Sequence, residues 1–247
     1  MMPYASMILL STPEERAELA GSLMEDGWKA IKLRLHHDSI QEDIRTVQLV
    51  REAVKDSMEI MVDANQAQSH GKWQPGVIWD FRRALETAKL LEELGVYWLE
   101  EPLQRYAFAD LERLNNSVGL PIAGGENNRG IHEFRTMVEN NIYDVLQPES
   151  MVLDGITELR KIGVLSEFYG KKIVPHHGGG DIGVIAHLHL VASWPNAPYL
   201  ELLNDPPIGS YVHKFAIFED PPVVKDGWIA LPDSPGLGIE IDPAYIE

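Results

Sequence analysis

The sequence contains no cysteine among its 247 residues. That removes disulfides, zinc–thiolate sites and thiol nucleophiles together. Basic residues are scarce: 21 Lys and Arg stand against 38 Asp and Glu, a formal net charge of −17. So acidic a chain cannot neutralise a phosphate backbone over a wide surface, which argues against nucleic acid as a partner. Long apolar runs are missing too. The longest, near Ile182–Trp194, contains His187 and His189 and is too short to span a bilayer. The N-terminus lacks a basic stretch ahead of its short apolar run, so it reads as structure rather than a signal peptide. No membrane contact is expected, and the cytoplasm is the default location.

What is present suits a globular protein. Hydrophobic residues make up 45% of the chain, enough for a substantial core. The length allows one large domain or two small ones, and a single α/β barrel runs to about 250 residues. Short apolar runs alternate with longer segments of helical spacing. The runs predict strands at Tyr4–Leu10, Lys29–Leu35, Met58–Asp63, Val96–Glu100, Pro121–Gly125, Tyr143–Gln147, Lys172–Pro175 and Tyr199–Leu202. Seven helices fall between them. The first opens at Thr12-Pro13-Glu14-Glu15, with Thr12 as N-cap, Pro13 at the first position and acids in the first turn. Strands apolar throughout and separated by helices imply parallel pairing with both faces covered. Eight regular units favour closure into a barrel over an open doubly wound sheet. Residues 1–203 read as this barrel. Residues 204–247 read as an extension rich in Pro and Gly, with a hairpin-like signal at Trp228–Leu231 and Gly238–Ile241.

Active sites of parallel barrels form where the strand C-termini converge. Three consecutive strands end near Asp63, Glu100 and Glu126. Adjacent strands lie about 5 Å apart, so these carboxylates would repel unless a cation sat among them. Oxygen-only ligation suits a hard octahedral ion, Mg²⁺ before Mn²⁺. Glu101 could replace Glu100, since alternation points only one of them inward. Lys32 and a His176–Glu149 pair are the available proton-transfer groups, with the carboxylate orienting the imidazole. His177 is the alternative to His176, because the doublet leaves the register open by one. Gly178-Gly179-Gly180 after it would let backbone approach a ligand. His36 and His37 read as loop residues, and His187 and His189 as helix packing. Trp73 is a candidate lid or an exposed loop aromatic.

These residues resemble the enolase superfamily, in particular its mandelate racemase-like subgroup. The resemblance rests on Ala30-Ile31-Lys32-Leu33-Arg34, Met61-Val62-Asp63-Ala64-Asn65-Gln66, Trp98-Leu99-Glu100-Glu101-Pro102 and Ala123-Gly124-Gly125-Glu126-Asn127. It continues in Asp144-Val145-Leu146-Gln147-Pro148-Glu149, Val174-Pro175-His176, Pro198-Tyr199-Leu200-Glu201 and Pro235-Gly236-Leu237-Gly238. It implies a (β/α)₇β modified TIM barrel holding Mg²⁺ on Asp63, Glu100 and Glu126. It implies abstraction of the proton α to a substrate carboxylate, with the metal stabilising the enediolate. Acid-sugar dehydratases of the subgroup then lose the β-hydroxyl; racemases return the proton to the other face. On this reading Lys32 and Arg34 contact the carboxylate, His176 is base, acid or both, and Asn65 and Glu201 bind substrate.

Three departures shape the expectation. The family's Lys-x-Lys is here Lys32-x-Arg34, and arginine is a poor base. That lowers two-base racemisation and favours dehydration. Glu149 stands where Asp is usual beside the histidine. The N-terminal α+β cap domain is missing from this chain, which points to a separate cap polypeptide, a truncation, or a catalytically silent barrel subunit. Uncovered surface predicts homo-oligomers, and a tail that would pack on the cap is expected to be loosely anchored.

Overall fold

The computed structural model describes residues 1–67, 76–177 and 181–245. Eight strands alternate with seven helices: β1 (Pro3–Ser6), α1 (Pro13–Glu25), β2 (Ala30–Arg34), α2 (Ile40–Val54), β3 (Glu59–Asp63), α3 (Phe81–Glu93), β4 (Leu99–Glu100) and α4 (Phe108–Asn115). They continue as β5 (Ile122–Gly124), α5 (Gly130–Glu139), β6 (Val145–Leu146), α6 (Ile156–Phe168), β7 (Lys172–Ile173), α7 (Asp181–Ser193) and β8 (Leu200–Asp205). The strands pair in parallel in the order β7-β6-β5-β4-β3-β2-β1-β8. Ile173 N–H of β7 donates to Asn196 O, in the turn between α7 and β8, at 3.2 Å.

A curled sheet has an inside, and the side chains mark it. Tyr4, Ala30, Met61, Trp98, Ala123, Val145, Val174 and Tyr199 form one buried apolar cluster, distinct from the larger core under the helices. Each comes from a different strand or its flank. Tyr4, Trp98 and Tyr199 meet edge to face, with ring centroids 5.6 to 6.4 Å apart. These residues floor the barrel. Side chains two residues apart share a strand face. The next inward layer is therefore Ser6, Lys32, Asp63, Glu100, Gln147, His176 and Glu201. On the fifth unit this position is Gly125, at φ +114°, a conformation that L side chains rarely adopt. The turn it permits lets the following residue, Glu126, supply the carboxylate.

Seven helices fall between the strands as expected, and the first begins at Pro13. Thr12 and Glu15 form a reciprocal capping box at the start of α1. The first strand is shorter than predicted and ends at Ser6 rather than Leu10. The cause is a side chain from β8. Asp205 Oδ2 accepts from the Ile8 and Leu9 amides at 2.9 and 3.2 Å, and Arg16 pairs with Asp205 Oδ1 at 2.7 Å. The backbone there has left the ladder for this buried ion pair.

The tail differs from expectation in two ways. The hairpin forms between β10 (Val224–Lys225) and β11 (Trp228–Ile229), not between Trp228–Leu231 and Gly238–Ile241. Asp226 and Gly227 both take positive φ, 51° and 81°, which a two-residue hairpin turn requires. Ile241 instead bridges to Phe218. The tail is also firmly held. Phe215 and Phe218, on and just after α8 (Tyr211–Phe215), join the main core with Ile229. The Met1 ammonium donates to Ile229 O at 2.8 Å, and Ile229 N–H donates back to Met1 O at 2.9 Å. A short β9 (Gly209–Ser210) runs antiparallel to the end of β8. Among the described residues no helix is long and apolar enough to cross a membrane.

Candidate active site at the strand C-termini

The inward layer above the floor is polar and mostly buried. Lys32 is buried with its Nζ 2.8 and 3.0 Å from the two Glu100 oxygens and 2.8 Å from Glu201 Oε1. Glu100 Oε2 also accepts from Gln147 Nε2 at 2.6 Å and from Trp98 Nε1 at 3.3 Å. Glu201 accepts from Ser6 Oγ at 2.7 Å and from the His177 amide at 3.0 Å. Glu100, not Glu101, thus faces the barrel interior on the Lys32 side. Glu101 sits at φ 44° and is buried too.

Arg34 donates to Asn65 Oδ1, and Asn65 N–H donates to Asp63 Oδ1 at 2.8 Å. Asn65 has φ 51°, a left-handed conformation that Asn tolerates better than most residues. That turn carries its side chain back over β2. His176 stands between two carboxylates: Nδ1 lies 3.2 Å from Glu149 Oε2, and Nε2 lies 3.1 Å from Glu126 Oε2. The longer glutamate therefore reaches the ring. His177 points elsewhere; its ring meets His187 of α7 edge to face at 5.5 Å.

Lys32, Arg34, Asp63, His176, His177 and Glu201 line one cavity of about 610 Å³, with Met7–Leu10 and Leu203 as an aliphatic wall. His36 lines it as well, although the sequence marks it only as a loop residue. Ser6 lines it too, and Gln147 joins the polar layer through Glu100; the motif reading passes over both. Counting two residues on from each floor position would have found both. His37, as expected, serves its loop, 2.8 Å from Asp43. His189 ties α7 to the tail through Leu237 O at 3.0 Å. Trp73 and Gly178–Gly180 lie outside the described residues.

Burial and crowding of like charge set the protonation pattern. Glu100 is pushed up to about 8 by burial, against the pull of Lys32, with Asp63, Glu201 and Glu126 adding repulsion. Glu101 is raised by burial and then by Glu126, Asp63 and Glu100. Burial works against the charged form of Lys32, but Glu100 and Glu201 outweigh it and raise its value. Burial also disfavours a charged His176, yet Glu126, Glu201 and the Glu149 hydrogen bond carry it up to about 10. Burial opposes ionisation of Glu149, but the His176 hydrogen bond and the neighbouring histidines bring it down to about 2.

This pattern gives a testable pH dependence for the metal-free chain. His176 is raised from 6.5 to about 10, so its contribution is complete below 6.5 and disappears as pH climbs through about 10. Glu149 is lowered from 4.5 to about 2, so its contribution is complete above 4.5 and disappears as pH falls through about 2. In EDTA, the urea-midpoint advantage of the native chain over His176→Gln should shrink steadily between about pH 7 and pH 10. A pH-independent difference would show that the ring is neutral in the folded state.

The donor set fits a hard cation. Asp63, Glu100 and Glu126 offer only oxygen, and Asp63 and Glu100 are register partners on β3 and β4. Burial raises Glu100, and Asp63, Glu201 and Glu126 add a repulsion that a dication would relieve. The oxygens are not gathered on one point: Glu100 is turned to Lys32, Asp63 to the Asn65 amide, and Glu126 to His176 and Asn127. The close-set trio of ligand atoms among the described residues is instead Glu149, His177 and His187.

Comparison with known proteins fits this geometry. The chain is 32% identical over 225 residues to the arabinonate dehydratase of Saccharolobus solfataricus, covering 90% of this chain and 55% of that protein. It is 30% identical over 217 residues to the L-talarate/galactarate dehydratase of Salmonella typhimurium, covering 88% and 48%. The chain thus spans about half the length of these curated relatives. A racemase from Streptomyces coelicolor, solved with bound magnesium, superposes with a TM-score of 0.83 at 26% identity, covering 99% of this chain and 62% of that one. Residues 15–245 match the enolase C-terminal domain-like family. With the curled parallel sheet and its ring of acidic residues above an apolar floor, that match shows that the chain belongs to the enolase C-terminal domain-like family.

Proposed function

We propose that this chain is the catalytic barrel of a Mg²⁺-dependent acid-sugar dehydratase. The observation that carries the reading is the His176 ring, braced by Glu149 on one nitrogen and open to the cavity and Glu126 on the other. The relatives named as dehydratases of arabinonate and of talarate and galactarate support the substrate class. Asp63, Glu100 and Glu126 would hold the metal. Bound there, Mg²⁺ supplies positive charge against which a substrate carboxylate can lose its α-proton.

The chain's own residues do the rest. Arg34 lines the cavity and offers a planar fork of N–H donors, so it clamps the substrate carboxylate. Lys32 sets the position of Glu100 and Glu201 and adds positive charge to the same wall. His176 handles the proton. While Glu126 lies beside it, the ring holds its proton firmly. A metal held by Glu126 would remove the neighbour that raises the ring most and would leave it available as a base. It takes the α-proton at Nε2, and Glu149 keeps the ring aligned and steadies the imidazolium. The same proton can then leave with the β-hydroxyl as water, giving an enol that becomes a 2-keto-3-deoxy acid. Arg34 at the family's second lysine position leaves no equivalent base on that side, which disfavours racemisation.

The test is a product screen. The chain is incubated with Mg²⁺ and a panel of aldonic and aldaric acids, with EDTA controls, and assayed for 2-keto-3-deoxy acids. Metal-dependent product from any member is the expected result. Exchange of α-hydrogen in D₂O without keto product would favour a racemase. Neither product nor exchange with any member would leave a silent barrel or one that needs a separate cap polypeptide.

A further inference from the structure

His187 reads from sequence as packing on α7, but its surroundings are not those of a packed imidazole. It is fully buried, as is His177 to 2% exposure. None of their four ring nitrogens has a hydrogen-bond partner among the described residues. A buried polar atom left unpaired costs about 1–3 kcal/mol, so two such rings side by side call for something to satisfy them. The rings stand edge to face at 5.5 Å, and a third group completes the set. Glu149 Oε1 lies 3.9 Å from His187 Nε2, and one ligand atom from each of Glu149, His177 and His187 falls within 4.8 Å of the others.

The backbone makes room for this arrangement. Gly183 lies one helical turn before His187, and a Cβ there would sit 3.1 Å from His177 Cε1. The missing side chain lets the His177 ring lie against α7. The two oxygens of Glu149 face different ways. Oε2 meets His176, while Oε1 takes the Ser150 hydroxyl and the Met151 amide, each at 3.2 Å, on the side of His187.

We propose that Glu149, His177 and His187 form a second cation site, separate from the Asp63, Glu100 and Glu126 group, that takes a borderline transition-metal dication such as Zn²⁺ rather than Mg²⁺. Two imidazoles and one carboxylate are the donor set of Zn²⁺ and its neighbours in the first transition row, and Mg²⁺ prefers oxygen. Three protein ligands leave a further position open, to water or to a small anion. The three residues come from the ends of β6 and β7 and from the middle of α7, so the site exists only in the folded barrel.

Co²⁺, a spectroscopic stand-in for Zn²⁺, tests the assignment on the full chain in excess Mg²⁺. One Co²⁺ per chain should bind beyond the Mg²⁺ site, with the strong visible absorption of four or five coordination, and Zn²⁺ should bleach it. Glu126→Gln should keep this band. His187→Phe and His187→Asn should weaken Co²⁺ binding by about 100-fold or more, since even the outer partners of metal ligands are worth about 10–100-fold. A readout without variants is the two-bond ¹H–¹⁵N spectrum of the nine histidines, in which Zn²⁺ should shift two rings. A band that survives both His187 variants, the absence of any band, or histidine rings unmoved by Zn²⁺ would overturn the proposal and leave water as the partner of these nitrogens.

Discussion

Replacing His176 with asparagine should cut turnover by about 10³–10⁴-fold while leaving Mg²⁺ affinity within a few-fold, because a positioned acid–base group contributes about 10²–10⁴. The upper part of that range follows from the double duty proposed for this ring. It takes the α-proton and returns it to the departing hydroxyl, and asparagine can do neither. The amide fits the space and can still donate to Glu149 or Glu126, so the barrel should fold normally. Of the three carboxylates proposed to hold Mg²⁺ only Glu126 meets the imidazole, and the asparagine amide can still donate to it, so metal affinity is expected to hold. Single-turnover kinetics and a calorimetric Mg²⁺ titration separate the two effects. Turnover within about tenfold of the native chain would remove His176 from the chemistry. A collapse of Mg²⁺ binding would instead make the ring a structural support for Glu126.

The second large effect is on stability. Lys32→Met should destabilise the metal-free chain by about 3–5 kcal/mol, the usual consequence of leaving buried charge without its partner. Lys32, Glu100 and Glu201 are each no more than 2% exposed, and the ammonium contacts both carboxylates. Methionine fills a similar volume but answers neither. Adding Glu201→Gln to Lys32→Met should restore part of the loss, since one orphaned carboxylate is then gone. The double variant being less stable than the sum of the two single changes would contradict this account. Urea unfolding in EDTA measures all three variants. A loss below about 1 kcal/mol for Lys32→Met would mean that water reaches the carboxylates and the pair is not isolated.

Much of this architecture could be read from local patterns. Thr12-Pro13-Glu14-Glu15 announces a helix start through residues in contact with one another. The alternation of apolar runs with helical segments predicts all eight barrel strands and their parallel order. What escaped depends on distant partners. Asp205 ends β1 early from nearly two hundred residues away, and no local signal at Ile8 or Leu9 reports it. The hairpin sits on the Asp226-Gly227 pair rather than reaching Gly238–Ile241, because those two residues take the positive φ that a two-residue turn requires. In the site, Lys32, Asp63, Glu100 and Glu126 stand at strand ends where the barrel geometry predicts function. His187 looks like packing because a histidine among apolar helix residues gives no hint of a carboxylate on another element.

The floor and the polar ring of the barrel are one pleat apart on seven of the eight strands, and this spacing has an evolutionary consequence. Tyr4, Met61, Trp98 and their neighbours settle whether the barrel closes, and they carry no chemistry. The polar layer stands two residues further on along most strands, with Glu126 one residue beyond Gly125 on the fifth unit. A change such as lysine to arginine at position 34 touches the chemistry without disturbing a floor contact. Inheritance can therefore try new reactions one strand at a time while the scaffold stays fixed. Proteins that share this barrel and bear the names of dehydratase and racemase are what such a division of labour would produce.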